Sequence, residues 1–248
     1  EYGILIDAGI SIRTIKKVLK DRSVDMSQIM GVLVTHDHAD HIKTVGYLGE
    51  KLNIPVFSTE GVHQGIAKSR YVEETLCSSK RIIEKEKPFK IKDFEITAFP
   101  VPHDSTDSVG FHIVFGDQRF TIATDMGHIT DTVGKYIGMA NHLVLEANYD
   151  EEMLKFGTYP QFLKERVASP TGHLSNREAA EFLATHYIPE LKDIWLCHLS
   201  RDNNHPELAY KTVDIRLFEE GIRVGKDVQL VALKRTTPSD VYEFDAEI

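Results

Sequence analysis

Short apolar runs recur along the chain with helical patterns between them. GILIDAG (3–9), GVLVTH (31–36) and IPVFST (54–59) read as strands. Between them, SIRTIKKVLK (11–20) places Ile12, Ile15, Val18 and Leu19 on one face of an amphipathic helix. HIKTVGYLGEKLN (41–53) and a stretch near 61–70 read as further helices. FEITAFPVPH (94–103), SVGFHIVFG (108–116) and RFTIATD (119–125) form a second set of strands, joined by HLVLEAN (142–148) and DIWLCHLS (193–200). SNREAAEFLATHY (175–187) predicts a helix in which Ser175 caps the first turn and Glu178 completes a capping box. The C-terminal part predicts a helix near 206–220 and two strands, DVQLVALK and DVYEF. Strands alternating with helices, with no internal repeat or low-complexity linker, predict a layered α/β sandwich in one domain over 1–248. The opening EYGILIDAG reads as the middle of a strand, so an N-terminal strand is expected to be missing.

The ends of these strands carry the chemistry. The runs end in His36, His103, Asp125, Glu146 and His198, where a strand ordinarily runs out into Gly, Asn or Ser. Strand ends are where α/β sheets build their sites. The first of these ends opens HDHADH, residues 36–41. His36 and His38, two apart in an extended segment, point the same way. Asp40 and His41 follow at a predicted helix start and project elsewhere. Four donors in two orientations suit two adjacent cations, since a single tetrahedral zinc needs only three or four ligands in all. The assignment gives His36, His38 and His103 to one metal, and Asp40, His41 and His198 to the other, with Asp125 bridging. Imidazole and carboxylate donors suit Zn²⁺, Mn²⁺ or Fe²⁺. Two such cations roughly 3.5–4 Å apart hold a bridging hydroxide and clamp a developing oxyanion, which is hydrolytic chemistry. Asp40 is counted with the catalytic residues as well as the ligands, and Asp7 is expected to orient ligands by hydrogen bonds rather than to bind metal.

Composition limits the alternatives. The chain has 248 residues, 42% apolar and 27% charged, which is ordinary for a globular protein with a real core. No apolar run is long enough to cross a bilayer and no signal peptide is visible, so no membrane role is expected. Cys77 and Cys197 do not form a disulfide framework; both read as small buried side chains, and a cytoplasmic location is expected. The net charge of −9 argues mildly against a nucleic-acid partner, although two bound cations and a local basic patch matter more than the total. Segment 149–171 interleaves Tyr149, Phe156, Tyr159 and Phe162 with Lys155, Lys164 and Arg166. That composition fits single-strand binding as well as a helical pair with its aromatics turned inward. Lys80, Arg81, Lys85, Lys87, Lys90 and Lys92, interrupted by Glu84 and Glu86, read as a solvated face. His63, His112, His142, His186 and His205 have no motif around them and read as structural or surface residues, His112 facing solvent; His128 reads as a bystander.

His-x-His-x-Asp-His, followed by a single His, a single Asp and a final His at later strand ends, resembles the metallo-β-lactamase superfamily. The resemblance runs from LIDAG (5–9) to the last strand and implies a four-layer αββα sandwich with a dinuclear site at one edge. Asp125 stands where the classical β-lactamases place a cysteine ligand, which implies the branch acting on phosphodiesters and thioesters. LEANYDEEMLKFGTYPQFLKERVASPTGHLSN (145–176) and HLSRDNNHPELA (198–209) are similar to the YycJ/WalJ-type branch, itself similar to the tRNA-processing endonuclease RNase Z. This implies a 5′-to-3′ DNA exonuclease. The family's opening strand and its Ser/Gly/Asn-rich loop have no counterpart here, and no insertion matches the tRNA-binding arm of RNase Z. By the same resemblance His173 donates a proton to the departing oxygen and Glu146 holds its ring. His173 also lies just before the capped helix at 175, whose free N–H groups favour an anion. The alternatives are a small-molecule hydrolase acting on a thioester, lactone or cyclic nucleotide, an RNA-processing nuclease, and a metal-containing binding or signalling protein.

Overall fold

The computed structural model describes residues 2–244, which fall into two compact units. The first comprises residues 2–98 and 105–109. Its parallel sheet has the order β1-β2-β3-β4, formed by β1 (Gly3–Ile6), β2 (Ile29–Leu33), β3 (Val56–Ser58) and β4 (Lys80–Ile82). Each connection between the first three strands contains a helix, as parallel pairing requires. These are α1 (Ile12–Asp21), capped by Ser11 accepting from Thr14 N, and α2 (Ala39–Ile42). A third, α3 (Glu60–Lys68), capped by Thr59, leads from β3 towards β4. Ile15, Val32, Val34, Ile42, Val45, Leu48 and Val56 are buried together as the core of this unit. β5 (Phe89–Ile91) and β6 (Phe94–Pro100) pair antiparallel about a turn in which Lys92 takes a left-handed φ of 54°. β6 carries the chain into the second unit.

The second unit comprises residues 99–104 and 110–244. β7 (Val109–Phe115) and β8 (Gln118–Ala123) form a hairpin whose turn uses Gly116 at φ 57°. Beyond it come α4 (Asp131–Ile137), β9 (His142–Glu146), α5 (Glu151–Phe156) and α6 (Gln161–Val167). The chain then forms α7 (Asn176–Thr185), β10 (Asp193–Cys197), α8 (Pro206–Glu219) and β11 (Gln229–Ala232). β8, β9, β10 and β11 lie parallel and adjacent. Ala179, Ala180 and Leu183 of α7 share one core with Val213 and Leu217 of α8 and with Leu143, Leu145 and Ile194 of the sheet. Small alanines on α7 permit the close helix–helix approach that this burial needs.

The expected helix over 41–53 is broken: α2 ends at Ile42, residues 43–44 turn, and a π-helical turn covers Tyr47–Lys51. DVYEF (240–244) is not a strand. Tyr242 and Phe244 instead lay their rings against Trp195, with centroids 4.9 and 5.9 Å away, so ring packing replaces a hydrogen-bonded ladder. β4, β5 and α4 carry no apolar period long enough to announce them. Cys77 is exposed rather than buried, because its backbone N–H is drawn to the Glu50 carboxylate at 2.9 Å on the surface. His112 is buried rather than facing solvent, its Nδ1 2.8 Å from Thr121 Oγ1 across the β7–β8 pair.

Candidate metal centre

Parallel strands put equivalent ends on one edge, and this register gathers the candidate donors of the second unit. Ala123 of β8 pairs with Leu145 of β9, and Leu145 with Leu196 of β10. Asp125 and His198 therefore leave the sheet at the same level, with Glu146, the last residue of β9, one position before them. Asp125 and His198 both have φ of 54°, a left-handed conformation uncommon away from glycine, which turns each side chain sharply as its strand ends. The result is three imidazoles around one buried carboxylate. Asp125 Oδ1 lies 3.3 Å from His198 Nδ1, 3.6 Å from His103 Nε2 and 3.8 Å from His173 Nδ1. Asp125, Glu146, His173 and His198 each bring a ligand atom within 4.8 Å of the others.

Glu146 is fully buried and receives four donors. Its Oε1 accepts from His173 Nδ1 at 2.8 Å and His198 Nδ1 at 2.9 Å. Its Oε2 accepts from the backbone N–H groups of Met126 (2.8 Å) and Leu174 (3.2 Å). Burial works to raise its pKa, but the hydrogen bonds from the two imidazoles outweigh it, and the carboxyl stays well below its usual range. His173 responds in kind: burial lowers its pKa, the Glu146 hydrogen bond and charge raise it further, and the net shift is upward.

The first unit holds HDHADH in a comparable frame. Gly9 lies so close to α2 that a Cβ there would sit 1.4 Å from the Asp40 carbonyl oxygen. Backbone bonds from Ala8 N to His41 O (2.7 Å) and Thr44 N to Ala8 O (2.9 Å) complete that seam. Asp7, at φ 58°, accepts Thr35 N and Thr35 Oγ1 at 2.8 Å each and bonds His41 Nδ1 at 2.7 Å. Because Thr35 Oγ1 donates to Asp7, it accepts from His36 Nδ1 at 3.0 Å. The His36 ring lies 4.7 Å from that of His38 and 4.1 Å from that of His41, and Asp40 Oδ2 is 3.9 Å from His41 Nε2. Asp40 itself is largely exposed, with 68% of its side chain open to solvent. Asp37 faces away from these rings, bonding Thr106 N and Oγ1 at 3.0 and 2.6 Å.

One pattern recurs in both units. His36, His41, His103 and His198 each commit Nδ1 to a fixed acceptor: Thr35 Oγ1, Asp7, the Gly172 carbonyl (3.0 Å) and Glu146. Holding the proton on Nδ1 leaves a lone pair on Nε2, the form in which imidazole ligates metal. With hard carboxylates beside the imidazoles, and no cysteine grouped with them among the described residues, these donors fit a divalent first-row cation.

Several supporting residues were not evident in the sequence. Asp104 lies 3.6 Å from His103 Nε2 and forms a 2.6 Å ion pair with Arg166. Asn148 donates to the His198 carbonyl at 2.7 Å. Asn176 and Asn204 exchange amide hydrogen bonds at 2.9 and 2.8 Å, and Asn204 also holds the Ala147 carbonyl at 2.8 Å. Their signal was the asparagine in each of EAN, LSN and DNN. Segment 149–171 is a helical pair, but its aromatics are divided: Tyr149 is buried, while Phe156 and Phe162 point outward. Lys80, Lys85, Lys87 and Lys90 pair with Glu60, Asp107, Glu84 and Glu95, as a solvated face would. His128 is exposed and bonds the Pro170 carbonyl through Nδ1 (2.9 Å).

The Beta-lactamase superfamily domain family matches residues 2–192. Exodeoxyribonuclease YycJ of Bacillus anthracis is 34% identical over 230 residues, covering 93% of this chain and 86% of its own length. Exodeoxyribonuclease WalJ of Streptococcus pneumoniae is 32% identical over 240 residues, covering 97% and 89%. Among solved structures, zinc-bound PqqB from Methylobacterium extorquens superposes with a TM-score of 0.68 at 18% identity, covering 94% of this chain and 83% of that one. The short form of human tRNase Z superposes with a TM-score of 0.58 at 20% identity, covering 80% and 82%. The chain therefore belongs to the metallo-β-lactamase superfamily, with its αββα fold, and within it to the family of YycJ and WalJ. It is a hydrolase of that fold, a class that binds divalent metal.

Proposed function

We propose that this protein is a dinuclear metal-dependent phosphodiesterase that degrades DNA from the 5′ end. The observation that carries this reading is the Glu146–His173 contact, in which a buried carboxylate holds a half-buried imidazole by Nδ1 and raises its pKa. In this reading His36, His38 and His103 would hold one cation and Asp40, His41 and His198 the second, with Asp125 available to both. Zn²⁺ and Mn²⁺ both suit this donor set, and Fe²⁺ is compatible. Bound there, the cations would supply an activated water and offset the charge that builds on the phosphate. The chain's own residues do the rest. Asp40, the open member of the set, orients the attacking water. His173, protonated through Glu146, gives its proton to the leaving 3′ oxygen as the P–O bond breaks. Asp7 keeps the His41 ring in one tautomer.

A nucleic-acid substrate is favoured over a small molecule by α1. Arg13, Lys16, Lys17 and Lys20 are all exposed at helical spacing, in a chain whose net charge is −9. The stripe spans about 10 Å, room for two or three phosphates. Its first member, Arg13, stands five residues beyond Ala8, whose N–H bonds the His41 carbonyl of the HDHADH segment. The deoxyribonuclease activity in the names of YycJ and WalJ supports DNA rather than RNA. Two cysteines in 248 residues form no disulfide framework, which supports a cytoplasmic location; among the described residues no helix is long and apolar enough to cross a membrane. The test offers the manganese-loaded protein single-stranded DNA, RNA, a thioester, a lactone and a cyclic nucleotide in parallel. The reading expects DNA to be cleaved fastest; preferential turnover of a thioester or lactone would replace it with the small-molecule hydrolase.

A further inference from the structure

We propose that the α5–α6 hairpin is a stacking platform for unpaired bases of the substrate strand, a reading that rests on the nuclease function above. Phe156 and Phe162 are 75% and 71% exposed, more than any other large apolar residue of the described chain. They sit one on each helix of the hairpin. Lys155 places its ammonium 5.0 Å from the Phe156 ring centroid, and Lys164 reaches back to the Lys155 carbonyl at 2.7 Å. The hairpin is joined directly to the chemistry of its unit. The His173 N–H bonds Val167 O at the end of α6 (2.8 Å), His103 Nδ1 bonds Gly172 O (3.0 Å), and Arg166 pairs with Asp104 beside His103.

Charge selects the occupant. Within 151–167, Lys155, Lys164 and Arg166 are balanced by Glu151, Glu152 and Glu165. The open cleft of about 420 Å³ beside the helices is lined by Lys155 and Lys164 but also by Glu151, Glu165 and Glu178. Such a surface gains little from phosphates. It suits the neutral faces of bases, which stack on any exposed aromatic ring irrespective of sequence. Paired bases offer those faces only at a duplex end, so the platform favours single strands and frayed ends. Phosphate attraction is left to the separate stripe on α1.

The test is fluorescence anisotropy with a labelled single-stranded oligonucleotide, an abasic strand of the same length, and a blunt duplex, with metal chelated so that no cleavage intervenes. Phe156→Ala and Phe162→Ala are expected to weaken binding of the single strand by roughly 5- to 100-fold per stacked base. They leave the abasic strand and the salt dependence unchanged, and Trp at either position restores affinity. Equal weakening for the abasic strand, no weakening at all, or loss of a dimer in native mass spectra of the alanine variants would overturn the platform. The last result would assign the face to a second copy. Tight, Phe-dependent binding without cleavage on restoring metal would keep the platform and remove the nuclease reading.

Discussion

Replacing Glu146 with Gln keeps the shape of the side chain and removes one acceptor and the charge. Four donors converge on the two carboxylate oxygens: His173 and His198 Nδ1 on one, Met126 and Leu174 N–H on the other. A glutamine has one acceptor oxygen, and its amide nitrogen must face one of these pairs with its own hydrogens. Two donors at a fully buried site then lose their partner. At about 1–3 kcal/mol for each, the metal-free protein should lose roughly 2–6 kcal/mol, less whatever local relaxation recovers. The same change frees the His198 ring, and losing such an orienting partner typically weakens metal binding about 10- to 100-fold. Urea unfolding of the metal-free Glu146→Gln variant and competition with a chromogenic chelator measure the two effects separately. A variant within about 0.5 kcal/mol of the parent, with unchanged metal affinity, would refute the claim that this carboxylate organises both imidazoles.

The other perturbations probe different links. Asp125→Ala should lose metal and activity together, whereas His173→Ala should retain metal by elemental analysis while turnover falls about 10²- to 10⁴-fold; full activity of the latter would exclude His173 as the acid. Changing Lys16, Lys17 and Lys20 to Gln should flatten the log–log salt dependence of DNA binding by about 2–3, and an unchanged slope would remove α1 from the phosphate track. Burial lowers the pKa of His112 and of His63, so each binds a proton less readily folded than unfolded. Their stabilisation is complete above the unfolded value of about 6.5 and is lost as pH falls below it. Thermal midpoints between pH 7.5 and 5 should therefore decline, less steeply in His112→Gln; parallel curves would contradict this. Gly9→Ala must push the Asp40 backbone aside, and unaltered metal affinity would show that this seam does not place the loop.

The parts of the fold that repeat a strong period were readable from the chain. β8, β9 and β10 are short, largely apolar runs that reach Asp125, Glu146 and His198 at their ends or within two residues beyond, and α7 carries both its capping box and its alanine face in SNREAAEFLA. The candidate donors were readable for the same reason, since six consecutive residues hold four of them. What escaped the pattern depended on tertiary placement. β4 is a three-residue strand of sequence KRI, specified by its neighbour β3 rather than by any period. DVYEF alternates like a strand, but its rings find Trp195 before its backbone finds a partner. The buried asparagines 148, 176 and 204 are polar residues that a composition argument places outside; Asn176 and Asn204 satisfy each other's amides, and Asn148 donates to the His198 carbonyl. The outward turn of Phe156 and Phe162 was equally hidden, because an aromatic on a short helix looks the same in sequence whether it packs inward or faces solvent.

The proposed activity is stepwise cutting of DNA from one end by this histidine–aspartate cluster. It is tested most directly by a time course on 5′-labelled and 3′-labelled DNA, with added Mn²⁺ or Zn²⁺ and Asp125→Ala as control. The account predicts early release of labelled mononucleotide from the 5′-labelled strand, with the 3′ label retained in shortening fragments and no product from the variant. Intact DNA under every metal, or equal product from Asp125→Ala, would contradict it.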